Sequence, residues 1–156
     1  MPDGFTLLEA LLAAVVLALV VGAILVPFTA GMQSTAQDAH QTLAANLAQE
    51  LMEEILSKSY DDPDGTERNE TDRQHWDDMR DYDGYSEPEG AIKTFDGSTF
   101  NDPASKGLSR TVKVESVYVA GQDTTKSPSF LRITVNVCYH GQVLQRTSRL
   151  VYANKK

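Results

Sequence analysis

The sequence of 156 residues carries 22 acidic against 14 basic side chains, a formal net charge of −8, three histidines and one cysteine. That length suits one modest domain, and a single cysteine supports neither an internal disulfide framework nor a cysteine-based zinc site. The charge is uneven, with six acids against one base before residue 59, fourteen against five over residues 59–109, and eight bases against two acids from residue 110 on. Most of this surface repels phosphate backbones, so nucleic acid is not an expected partner, with the basic last third a weak exception.

Residues 1–4 form a short stub. Residues 5–28 are apolar and contain no charge between Ala10 and Val26. Such a run is about as long as a bilayer-spanning helix, which needs roughly 20 residues at about 1.5 Å each. The helical pattern continues over residues 29–58, where Ala39, Leu43, Leu47, Leu51 and Ile55 repeat every fourth position and Ala44, Ala48, Met52 and Leu56 widen the stripe. Gln37, Asp38, Gln41, Gln49, Glu50, Glu53 and Glu54 supply its polar face. Pro27, flanked by Gly22 and Gly31, removes one rung of the hydrogen-bond ladder, so the segment from Gly22 to Pro27 is the expected hinge.

Residues 59–109 form an acidic loop region rich in Asp, Glu, Gly, Pro, Ser and Thr, with His75, Trp76, Met79, Tyr82 and Tyr85 as potential anchors. Its aspartates do not follow the calcium-loop pattern of alternating oxygen ligands, central glycine and distal glutamate, so no metal site is assigned. Residues 69–71 (Asn-Glu-Thr) match a short glycosylation rule.

Residues 110–156 read as an antiparallel meander of three strands. Val112 and Val114, then Val117 and Val119, alternate across one phase shift that a bulge would absorb. Leu131, Ile133, Val135, Val137 and Tyr139 share one face, and after a turn at His140-Gly141 a third strand runs to Tyr152 with Leu144, Leu150 and Tyr152 expected inward. The expected fold class is α+β, a long N-terminal helix whose amphipathic second half covers the C-terminal sheet.

No histidine stands at a spacing known for nucleophilic catalysis, and no glycine-rich phosphate loop follows a strand, so neither an enzyme nor a cofactor is expected. The informative residue is Glu9, a carboxylate at the head of the apolar run. An ionised side chain at the centre of a membrane helix costs about 2.5–3.5 kcal/mol on insertion scales, less near the interface, and such groups usually have a partner. No Lys or Arg precedes Lys58. Cleavage between Gly4 and Phe5 would create an amine four residues from Glu9 on the same helical face. In an assembly that amine can also pair with Glu9 of a neighbouring copy and set the register of packed helices.

Gly4-Phe5-Thr6-Leu7-Leu8-Glu9, followed by the apolar run, resembles the class III signal of type IV pilins and of type II secretion pseudopilins. The resemblance implies cleavage by a prepilin peptidase between Gly4 and Phe5, methylation of the new amine on Phe5, and a register-setting role for Glu9. The helix around residues 45–55 is similar to that of minor pilins and minor pseudopilins. Other subunits, the peptidase and the cytoplasmic membrane are then the expected partners, with a single-pass topology, a periplasmic C-terminal domain, and assembly into a pilus or pseudopilus. Met1-Pro2-Asp3 departs from the family in lacking the Lys or Arg its leaders usually carry. The alternative reading is a non-polymerising, membrane-anchored periplasmic adaptor or binding domain.

Overall fold

The computed structural model describes residues 6–63, 65 and 72–152. Gly4, Phe5, Asp64 and the Asn-Glu-Thr sequence at 69–71 lie outside them. One helix, α1 (Leu7–Leu56), precedes four strands: β1 (Ser86–Glu87), β2 (Leu108–Val117), β3 (Phe130–Tyr139) and β4 (Gln142–Tyr152). The sheet order is β1-β2-β3-β4 with every neighbour antiparallel, an α+β architecture. The chain divides into two compact units, Met1–Ala39 and His40–Lys156.

In the first unit, α1 is apolar along most of its length and long enough to cross a membrane, and its most apolar stretch buries nothing. Leu8, Leu12, Leu19 and Val26 are each at least two-thirds exposed. The helix runs unbroken through Gly22 and Pro27. Pro27 has no amide hydrogen for the Ala23 carbonyl, and two residues on, the Thr29 hydroxyl donates back to the Leu25 and Val26 carbonyls at 3.1 and 3.0 Å.

The second unit has one hydrophobic core. Ala44, Leu47, Ala48, Leu51, Met52 and Ile55 of α1 pack against Leu108, Val112 and Val114 of β2 and Leu131, Ile133, Val135 and Val137 of β3. The four-residue repeat therefore meets the two-residue alternation of the strands, as the sequence pattern requires. The connecting segment adds Met79, Tyr82 and Ile92, with Trp76 and Tyr85 partly buried at the margin and His75 exposed.

Three details differ from the sequence reading. The meander gains a fourth strand, β1, inside the region read as loop, which also holds a 3-10 turn at Pro103–Ser105 capped by the Asp102 side chain. β2 and β3 pair in continuous register from Leu108↔Tyr139 to Val117↔Phe130, so no bulge shifts β2, and Val117 faces away from the core. The irregularity lies between β3 and β4, where Val137 pairs with Gln145 but Cys138 with Val143, leaving Leu144 as the extra residue. One extra residue inverts the parity of the rest of β4. Val151, opposite Leu131, packs against the core, whereas Leu150 and Tyr152 are 55% and 59% exposed. His140 and Gly141 both have positive φ, 47° and 78°, as a two-residue type I′ hairpin turn demands.

Candidate functional site

The opening of α1 is built by Thr6. Its carbonyl accepts from the amides of Glu9 and Ala10, both at 3.1 Å, and its hydroxyl accepts from the Glu9 amide at 3.3 Å, so Thr6 caps the helix. Glu9 then stands in the first turn, where the helix dipole favours a carboxylate. Beside it Leu12, Ala13, Val16, Leu17 and Val20 line one shallow apolar groove along the helix. Glu9 thus stands at the head of an apolar strip whose residues are exposed. The residues expected to supply its partner, Gly4 and Phe5, are outside the described set. Gly22 and Gly31 have nothing within 4 Å of where a Cβ would stand, so no contact within the described protein requires a glycine at either position.

A second cluster, which the sequence did not announce, lies in the other unit. Arg110, on an inward-facing position of β2, is fully buried. Its guanidinium donates to both Glu87 oxygens at 2.5 and 3.0 Å, to the Leu47 carbonyl at 3.1 Å and to the Lys93 carbonyl at 2.7 Å. Arg73 donates through Nε to Glu54 at 2.7 Å, through Nη2 to the other Glu54 oxygen, and through Nη1 to Glu87 and the Lys93 carbonyl at 3.1 and 3.0 Å. The Tyr82 and Tyr85 hydroxyls donate to Glu54 at 2.8 Å and to Glu87 at 2.7 Å. Glu54, grouped by the sequence with the polar face of the helix, is thus a buried ion-pair partner with a side chain 7% exposed.

Two guanidiniums facing two carboxylates leave this interior without net charge, and forked hydrogen bonds satisfy each group. Burial, reinforced by donation to Glu54, raises the Tyr82 phenol pKa, and burial with donation to Glu87 does the same for Tyr85. The network ties α1, the connecting segment, β1 and β2 together. Its charged atoms are satisfied by one another, by the two tyrosine hydroxyls and by main-chain groups of Leu47 and Lys93.

The remaining titratable groups are dispersed. His40 lies on α1 with Nδ1 3.1 Å from the Ala104 carbonyl and its ring against Tyr139, while His75 and His140 are largely exposed beside Asp72 and Glu89. Cys138 is a half-buried free thiol. Asp77, Asp78 and Asp81 place carboxylate oxygens within 4.8 Å of one another. These acids shape a turn, since Asp81 accepts from the amides of Asp77 and Asp78 at 3.2 and 3.1 Å and Asp78 accepts from those of Arg80 and Asp81 at 2.5 and 3.3 Å. Burial raises the Asp78 pKa, with Asp81 nearby adding to the effect.

No protein-family model matches the chain, and neither the curated proteins nor the solved structures contain a significant match.

Proposed function

We propose that the chain is a pilin-like structural subunit, a minor pilin or minor pseudopilin, anchored by its N-terminal helix in the cytoplasmic membrane and assembled from there into a type IV pilus or type II secretion pseudopilus. The observation that carries the reading is Glu9, the one charged residue in the apolar run of residues 5–28, standing four positions after the Gly4-Phe5 junction. On this reading a prepilin peptidase cuts after Gly4 and methylates Phe5. Methylation leaves the amine protonatable, so it still pairs with a carboxylate. A subunit leaving the bilayer exchanges lipid for neighbouring apolar helices, and the pairing of Glu9 with an amine favours one stagger over the others. The role is structural, with no catalytic step assigned to the chain.

The test is to express the protein with and without a prepilin peptidase and determine its N-terminal residue and mass. A peptidase-dependent start at Phe5 carrying one extra methyl group is the expected result. An intact Met1 overturns the reading in favour of an anchored adaptor, and a start after the small-residue site Val21-Gly22-Ala23, as a cleaved secretory signal would give, overturns it in favour of a secreted domain.

A further inference from the structure

The sheet has a second face, turned away from the hydrophobic core, and its residues come from the alternate positions of β2, β3 and β4. The register sets them in rows: Glu115, Arg132 and Leu150; then Lys113, Thr134 and Ser148; then Thr111, Asn136 and Arg146. Rows two residues apart are about 7 Å apart, and neighbouring strands about 5 Å. Between them lies a groove of about 390 Å³ whose lining includes Lys113, Arg132 and Arg146 against a single carboxylate, Glu115.

That carboxylate is engaged, because Lys113 Nζ pairs with it at 2.6 Å. Arg132 is exposed on a central strand, and its side chain makes no hydrogen bond or ion pair to any described residue. Arg146 is oriented by donation from Nε to Asn136 Oδ1 at 2.8 Å, which leaves its two terminal nitrogens pointing no bond at a described residue. The Thr134 and Ser148 hydroxyls, 3.2 Å apart, form a polar floor. Each guanidinium fork, beside these hydroxyls, suits one planar, two-oxygen anion.

The ordinary explanation for charge here is protection of an edge strand against aggregation. It accounts for Arg146 on β4, the edge strand, but not for Arg132 on β3. Nor does it account for the apolar end of the same face, where exposed Leu150 and Tyr152 stand beside Phe130, whose ring centroid is 5.1 Å from that of Tyr152. Beyond them, β4 pairs among the described residues with β3 alone, so its other edge offers main-chain donors and acceptors that no described strand takes up. Polypeptide matches such an edge. A phosphate backbone needs a contiguous basic stripe, and a net charge of −8 opposes it at long range.

We propose that this face docks an extended, acidic segment of a partner protein, whose main chain adds to the free edge of β4 and whose carboxylates reach Arg146 and, diagonally over Ser148 of the next row, Arg132. Leu150 and Tyr152 receive its apolar side chains. This site is independent of the membrane-helix reading, since it uses no residue of α1.

The test uses the full chain in non-ionic detergent micelles and a fluorescent peptide of alternating Glu and Val about ten residues long, the length of a long strand. A matched Lys-Val peptide and single-stranded oligothymidine serve as competing probes, with fluorescence anisotropy as the readout. The acidic peptide is expected to bind saturably and more weakly as salt rises. Arg132→Glu and Arg146→Glu should each lower its affinity about tenfold or more, as the loss of a charge-assisted hydrogen bond implies. Both side chains are exposed, so the unfolding midpoint should fall only slightly, by the like-charge contact of Arg132→Glu with Glu115 and the lost Arg146–Asn136 bond; Arg132→Gln, which adds no negative charge, should leave the midpoint unchanged and lose affinity in the same direction. Absence of saturable binding, equal binding of the Lys-Val peptide, or indifference to all three substitutions overturns the proposal. Binding of oligothymidine in place of the peptide overturns it in favour of a phosphate ligand, and self-association of the chain that the substitutions abolish overturns it in favour of a second copy.

Discussion

Replacing Arg110 with Met removes a fully buried guanidinium and its contacts to Glu87, the Leu47 carbonyl and the Lys93 carbonyl, while roughly filling its volume. Glu87, only 2% exposed, keeps the Arg73 guanidinium, the Tyr85 hydroxyl and the Lys93 amide but loses its forked partner. Removing one member of a buried pair costs about 3–5 kcal/mol, because the other charge stays buried without full compensation. For a unit of this size that is about 10–20 °C in Tm. The double variant Arg110→Met with Glu87→Met should recover most of the loss, since replacing both partners by apolar side chains is often nearly neutral. Urea unfolding of the full chain in detergent micelles, followed by the fluorescence of Trp76, reads both. Trp76 is the only tryptophan and packs edge-on against Tyr82 and Tyr85, ring centroids 4.7 and 5.2 Å away, whose hydroxyls belong to the same network. A single variant losing less than about 1 kcal/mol, the size of an exposed pair, or a double variant as unstable as the sum of the singles, would refute the account of a closed buried network.

Tyr82 gives a pH prediction. Its folded-state pKa lies above the ordinary 10.0, so the unfolded chain gives up the phenol proton first. Its contribution to stability is therefore full below about pH 10 and falls as pH rises beyond it. Tyr82→Phe should remove about 1 kcal/mol at neutral pH and flatten part of the alkaline loss in urea midpoints. Gly107→Ala brings a Cβ to 2.4 Å from Tyr139 Cε2 and 3.0 Å from His140 Nε2, so the Tyr139 ring must move. The substitution should lower the unfolding free energy by about 1–3 kcal/mol, checked by the same denaturation. Glu9→Ala should leave peptidase cleavage and the urea midpoint of the sheet unit unchanged while reducing recovery of the subunit in sheared filament fractions, and undiminished recovery would remove its register-setting role.

Much of the fold was legible from periodicity because burial imposes it locally. The run after Glu9 has no charge to place in water, the four-residue repeat from Leu43 to Ile55 needs an apolar cover, and the alternation from Leu131 to Val137 presents one. On β4 the inward Leu144 does pack against the core, but Leu150 and Tyr152 were misread because alternation fixes faces only while the register holds, and the extra residue at Leu144 is a property of the β3–β4 pairing rather than of β4's own sequence.

Glu9 could be singled out from sequence because a carboxylate among apolar residues is conspicuous without any partner in view. Arg73, Glu54, Glu87 and Arg110 could not, since each reads alone as a solvated charge. Arg110 falls on the inward parity of β2, yet nothing in its neighbourhood along the chain says which acids will meet it. Its partner Glu87 is 23 positions away, and Glu54 and Glu87 are joined only through Arg73. The sequence by itself determined the long helix, the three long strands and the apolar faces of α1 and β3, because those follow from spacing along the chain. The tertiary structure alone decided which charges are buried and which guanidinium stays open, because ion pairing depends on distances that chain spacing does not set.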